Sequence, residues 1–172
     1  VTGGSLGAKR INDTIEASRT ALRNAGIQVL HIVGDRSELE VESSTDFVRL
    51  KYCDRMDLAI AAADLAVCRS GASTVCEFGA FGLPSVFVPY PVGNGEQRFN
   101  AVDLVSAGGA VLVNDSDFDL HYVRDQVIPL ISNQKKLQAM SRVSKAASIA
   151  NGTQLLYELV RGVLPTKANP DK

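Results

Sequence analysis

Residues 68–91, CRSGASTVCEFGAFGLPSVFVPYP, constrain the fold more than any other stretch, because they read as strand end, small-residue turn, helix, turn and second strand. Leu65 to Cys68 is a short apolar run, and Ser70-Gly71-Ala72 supplies backbone with little side-chain bulk. Ser73 to Ala80 is expected to be helical before Gly82 and Pro84 stop it. The amides of Gly71 to Thr74 are then unpaired donors at a helix start. Such a terminus carries about half a positive elementary charge and attracts phosphate without a lysine.

The pattern around this unit repeats. Ile11, Ile15, Ala17 and Leu22 predict a helix to about Asn24, and IQVLHIVG and Phe47 to Tyr52 read as strands. A helix over Asp54 to Ala63, a strand over Pro84 to Pro89, a helix over Gln97 to Ala107 and a strand over Ala110 to Val113 follow, with two or three helices to about Leu164. Alternation of this kind predicts a doubly wound α/β domain on a parallel sheet. The last helix, near Gln154 to Val163, carries Leu155, Leu156, Leu159, Val160 and Val163 at helical spacing. Two readings stand: the stripe packs on its own sheet, or part of it meets another domain. LPTKANPDK after it is polar and proline-bearing, so residues 165–172 are expected to be disordered.

At 172 residues the chain is about one domain, able to bury roughly two-thirds of its surface on folding. Eighteen basic against nineteen acidic residues lack the basicity of a nucleic-acid binder. Apolar stretches fall well short of the roughly 20 residues that span a bilayer, so a soluble cytoplasmic chain is the default expectation. The opening VTGGSLGA is the end of a strand and a glycine turn without a strand body. We therefore expect a fragment of a longer protein. Cys53, Cys68 and Cys76 match no zinc or redox spacing, and no metal-ligand cluster stands out. His31 in a strand and His121 near a helix start are expected in core or surface roles.

Four loops are placed where open α/β sheets bind ligands, beyond the carboxyl ends of the strands. Gly3-Gly4-Ser5-Leu6-Gly7-Ala8 opens a helix; it lacks both the GxGxxG spacing and a P-loop lysine, and reads either as a phosphate loop or as a turn set by packing. In the Ser70–Glu77 segment, Glu77 is expected to share a polar helix face with Ser70, Ser73 and Thr74. A carboxylate there suits a sugar diol, each charged hydrogen bond being worth roughly 1.5–3 kcal/mol, or is simply solvated. The loop Pro89 to Gln97 suits a polar, uncharged ligand such as a hexose, and Tyr52 to Met56 can flank a planar base. Arg69 reads equally as a phosphate partner or as a brace of the turn. No nucleophile with an adjacent base stands out.

Taken together, GGSLGA (3–8), RSGASTVCE (69–77), GLPSVFVPYP (82–91) and GNGEQRFNA (93–101) resemble the MurG family of bacterial UDP-N-acetylglucosamine transferases, which make lipid II from lipid I. The likeness runs from about Val1 to Leu164 and corresponds to the Rossmann-like, C-terminal, donor-binding half of a two-domain GT-B glycosyltransferase. The resemblance implies that Ser5 and the 72–76 region, Ala72, Ser73, Thr74, Val75 and Cys76, contact the diphosphate and sugar. It implies that Glu77 holds the ribose, that Cys53 reads the uracil edge through its backbone, and that Met56 lines the uracil pocket. Gln97 is implied to meet the N-acetylglucosamine hydroxyls, with Gly4, Arg69, Gly71 and Glu96 as further candidates. Glu96 stands where the family commonly has glutamine. No metal or cofactor is implied, and no catalytic residue is expected in this part. Lipid I, the general base and a peripheral contact with the cytoplasmic side of the membrane are implied to belong to a preceding domain. Another GT-B transferase, a UDP-sugar epimerase or a non-catalytic nucleotide-sugar module remain alternatives.

Overall fold

Thr2 forms parallel bridges to both Ile32 and Cys68, and those two bridges join two three-stranded pieces into one sheet. On one side β1 (Val29–Ile32) pairs in parallel with β3 (Phe47–Leu50), whose outer edge takes β2 (Glu42–Ser43) antiparallel. On the other side β4 (Ala66–Cys68), β5 (Ser85–Phe87) and β6 (Ala110–Leu112) are parallel neighbours in that order. Counting the Thr2 segment as the first parallel strand, β1 and β3 lie on its one side and β4, β5 and β6 on its other, the order 3-2-1-4-5-6 of a Rossmann-like sheet. The chain therefore reverses its winding direction between Thr2 and β4. The computed structural model describes residues 1–164, so the expected tail at 165–172 lies outside the described residues.

Strand alternation divides the core between the two faces. Val67, Val86 and Val88 pack against Ile11, Ile15 and Leu22 of α1 (Lys9–Asn24) and against Phe118, Val123 and Met140 of the C-terminal segment. Their neighbours Ala66, Cys68 and Phe87 point the other way, toward Ile60 of α2 (Met56–Ala62), Val75 and Phe78 of α3 (Ala72–Phe81), and Leu104 of α5 (Val102–Ser106). This is the period-two consequence of a sheet covered on both faces. Ala17, expected on the apolar stripe of α1, is exposed instead.

A polar cluster fastens α1 to β1 and β3. The Arg49 side chain, 7% exposed, meets Glu16 at 2.5 Å and Glu42 at 3.3 Å. Asn12 donates to the Val33 carbonyl at 3.0 Å, which leaves its Oδ1 to accept from Nε2–H of the buried His31, also at 3.0 Å. Burial pushes the His31 pKa down to about 3, with the nearby Arg49 adding to the effect.

Three expectations change. The helix read over 97–107 is two short ones, α4 (Glu96–Asn100) and α5, meeting at Ala101, which is fully buried. The segment after β6 contains α6 (Leu120–Tyr122), a π-helical stretch Val123–Val127, α7 (Ile128–Ile131) and α8 (Gln134–Ala147). The last helix, α9 (Gly152–Val163), does not pack on the sheet: none of its residues is buried, and Val163 is 77% exposed. No helix among the described residues is long and apolar enough to cross a membrane.

Candidate functional site

At the winding reversal, the loops after Thr2 and after β4 border a cavity of about 930 Å³ beyond the carboxyl ends of the strands. That is the size of a small-molecule site, in the position that open α/β sheets use for ligands. Residues 2–8 form one wall, and Cys68, Arg69, Gly71 and Thr74 another. Tyr90, Pro91 and Gln97 close a third side, with Asp115 and Asp119 below.

Packing requires one part of the glycine loop and leaves another part open. Gly7 has φ 81°, and a Cβ there would lie 2.2 Å from the Val33 carbonyl oxygen, so this glycine is required by packing. Gly4 has φ 83° but nothing within 4 Å of a Cβ position, so its bare face opens on free space. The turn is closed by Gly7 N–H donating to Gly4 O at 3.0 Å and by Asp35 N–H donating to Ser5 O at 2.9 Å. The exposed Ser5 stands at its tip.

Two helix starts border the cavity. α1 begins after Ala8 and α3 after Gly71; neither has a side-chain cap, and neither has an acidic residue in its first turn. The first bond inside α3 runs from Val75 N–H to Gly71 O at 3.0 Å, so the amides of Gly71, Ala72, Ser73 and Thr74 precede the helical ladder. Val75 itself gives its amide to the helix and its side chain to the core. Two uncapped positive helix ends at one cavity attract an anion. The nearby carboxylates have partners of their own: Asp13 pairs with Lys9 at 2.7 Å, Asp115 with Arg69 at 2.6 Å, and Asp119 accepts from Tyr122 N–H at 2.8 Å.

Of the residues singled out in the sequence, Gly4, Ser5, Arg69, Gly71, Thr74 and Gln97 line this cavity. Gln97 accepts from Tyr90 N–H through Oε1 at 3.0 Å. Ala72, Ser73, Cys76 and Glu77 are exposed on the outer face of α3, and Glu96 lies beside Gly93. Cys53 is half-buried. Met56 packs against the cluster of Ile60 and Phe78 and borders a different, more apolar cavity. Ser70 is not on the polar face with Glu77: it is fully buried, because the helix starts after it, and its carbonyl accepts from Asn100 Nδ2 at 3.1 Å. The contacts of Asn100 and Asp115 escaped the sequence reading, since each acts on a partner distant in the chain. Cys68 lies at the cavity floor, where burial pushes its thiol up to about 12, so it stays protonated at neutral pH.

Residues 1–156 match the family model described as Glycosyltransferase family 28 C-terminal domain. The chain belongs to this family. Among the relatives of this family 28 domain, the UDP-N-acetylglucosamine--N-acetylmuramyl-(pentapeptide) pyrophosphoryl-undecaprenol N-acetylglucosamine transferase of Leifsonia xyli is 49% identical over 161 residues, covering 94% of this chain and 45% of the relative. The transferase of the same name from Streptomyces coelicolor is 41% identical over 172 residues, 98% of this chain and 47% of its own. The chain thus spans about half the length of these curated relatives. The crystal structure of Acinetobacter baumannii MurG superposes with a TM-score of 0.75 at 26% identity, over 94% of this chain and 48% of that one. The family 28 domain therefore has the Rossmann-like fold of the C-terminal half of a GT-B glycosyltransferase, as the loop motifs led us to expect.

Proposed function

We propose that this family 28 domain is the donor-binding half of an inverting transferase that moves N-acetylglucosamine from UDP-N-acetylglucosamine to the C4 hydroxyl of the lipid I muramoyl sugar, giving lipid II. The observation that carries the reading is the pair of uncapped helix starts, α1 and α3, bordering one cavity at the winding reversal. In the reaction the C1–O bond to the diphosphate breaks as the acceptor O4 bonds to C1, and UDP leaves with the bonding pair. Amides of Ala72, Ser73 and Thr74, with Gly71 and the loop of Gly4 and Ser5, are aimed where that negative charge grows. Fixed donors of this kind stabilise a transition state more than the ground state.

The remaining roles rest on the family resemblance and on residue chemistry. Glu77, midway along α3, accepts from the ribose hydroxyls; the backbone of Cys53 and the side chain of Met56 take the uracil, although neither of these two borders the cavity between the helix starts. Gln97, with Glu96 beside it, faces the hexose. The acceptor, the base that takes the O4 proton and the contact with the cytoplasmic face of the membrane belong to the other half of the transferase. This domain alone is expected to bind donor weakly and not to turn over.

Calorimetric titration with UDP-N-acetylglucosamine, UDP-glucose and NAD tests the donor class. UDP-N-acetylglucosamine is expected to bind tightest, and stabilisation by NAD alone would sink the reading. Glu77→Ala removes two charged hydrogen bonds and is expected to weaken UDP at least about tenfold. An unchanged UDP affinity would remove the ribose role.

A further inference from the structure

We infer that Arg69 is a positioning residue: it holds the loop 89–97 and, through Tyr90, the orientation of Gln97. Its charge is not held in reserve for phosphate. Arg69 follows β4, and its side chain is only 12% exposed. Its Nη1 donates to the carbonyls of Val88 and Pro89, at 3.0 Å each, where the chain leaves β5 and enters the loop. The same nitrogen lies 2.6 Å from Asp115 Oδ1, on the turn that follows β6, and Asp115 is as enclosed as Arg69. The guanidinium carbon sits 5.5 Å from the centre of the Tyr90 ring. One side chain thus ties together the ends of three adjacent strands, β4, β5 and β6.

The consequence lies at the far end of the loop. Tyr90 N–H donates to Gln97 Oε1 at 3.0 Å, which fixes the orientation of that amide and takes one of the two lone pairs of its oxygen. The Gln97 NH₂ group has no hydrogen bond to the described residues and is left to donate to a sugar oxygen. Asn100 fixes the other side of the loop by donating to the Ser70 carbonyl at 3.1 Å, next to Arg69. A displaced Arg69 frees the Val88 and Pro89 carbonyls, lets Tyr90 move, and releases Gln97 to rotate. The two helix starts do not depend on this chain of contacts. Loss of Arg69 should therefore cost the sugar more than the loss of its charge beside Asp115 costs the nucleotide.

This inference rests on the donor reading above for its ligand, but the brace is measurable without any ligand. Hydrogen exchange of the whole chain in the absence of nucleotide is compared for wild type, Arg69→Met and Arg69→Lys, followed by calorimetry with UDP and with UDP-N-acetylglucosamine. In Arg69→Met the Tyr90 amide is expected to exchange about tenfold faster, the loss of roughly one 1.4 kcal/mol interaction. Losing the cation beside Asp115 weakens both ligands alike through charge, so the brace is read in the preference for UDP-N-acetylglucosamine over UDP, which should fall toward one. Arg69→Lys keeps the charge beside Asp115 but lacks the planar fork, and should behave like Met in both readouts. It is also the milder change, and decides the question if the Met variant fails to fold. Unchanged loop exchange with UDP and UDP-N-acetylglucosamine weakened equally would overturn the inference and make Arg69 a phosphate ligand. Full rescue by lysine would overturn it as well. A wild-type chain that binds no UDP would defeat the donor reading instead, and loop exchange would still judge the brace.

Discussion

Ser73→Asp separates what is good for helix α3 from what is good for an anion at its end. Ser73 is exposed, two residues past the Gly71 cap, in a first turn with no acidic residue and no side-chain cap. A carboxylate there complements the helix dipole and should stabilise the fold by about 0.3–1 kcal/mol at low salt. For a domain of this size that raises the melting temperature by roughly 1–3 °C. The same carboxylate competes with a bound diphosphate. Two unit charges about 4 Å apart repel by ~1 kcal/mol in water and ~4 kcal/mol at the effective dielectric of a protein surface. UDP should therefore weaken about tenfold or more. Calorimetry and thermal melts at low ionic strength, with Ser73→Asn as the neutral control, read both quantities on the same preparations. Both effects should shrink as salt shortens the screening length below about 8 Å. A higher melting temperature with unchanged UDP affinity refutes the reasoning, because the anion then lies elsewhere. A lower melting temperature refutes it differently, since the helix end is then not the open dipole described.

Glu16→Ala leaves the enclosed Arg49 with Glu42, which Arg19 also engages, and should destabilise by about 3 kcal/mol in a denaturant melt. Adding Arg49→Met should recover more than half of that, whereas additive losses would show that the two side chains do not act as a pair. Gly7→Ala and Gly4→Ala face the same left-handed backbone, but only Gly7 meets a carbonyl, at 2.2 Å; the first should cost about 3 kcal/mol and the second about 1, and equal costs would contradict the packing account. His31 is pushed to about 3 in the fold, so below pH 6.5 the unfolded chain takes up a proton that the native chain refuses. Its contribution is nil above pH 6.5, and stability should fall by up to about 1.4 kcal/mol per pH unit from there toward pH 3. An NMR titration in which the His31 ring resonances move between pH 7 and 5 would refute this.

The alternation of strands and helices was legible because each strand is a short apolar run and each helix carries its own period. Val67, Val86 and Val88 against Ala66, Cys68 and Phe87 show how a two-residue period is enough to cover both faces of a sheet. The edge strand Glu42–Ser43 was not legible, since two polar residues carry no period at all. Nor was the fate of α9. An amphipathic stripe specifies that a helix has an apolar face and does not specify what covers it. At the site, the glycine loop, the start of α3 and the loop 89–97 were readable from local composition, whereas Gln97 itself was singled out by the family resemblance. Ser70 was misplaced because helical periodicity was extended two residues ahead of the helix, into a turn it does not govern. The reach of Arg69 to Asp115 and of Asn100 to Ser70 depends on the strand order that makes them neighbours, and that is information no local window holds.

The open start of α3 has a consequence for how the domain tolerates change. The donors of Ala72, Ser73 and Thr74 belong to the main chain, while their side chains carry little of the fold's packing. Alanine scanning along this turn would register almost nothing, because every substitution leaves the amide in place. Only proline, which removes the hydrogen itself, or a new charge would be felt. A ligand grip made of backbone is silent to the commonest experiment used to find one, and it leaves the three side chains free to drift in composition while the hold on the anion persists.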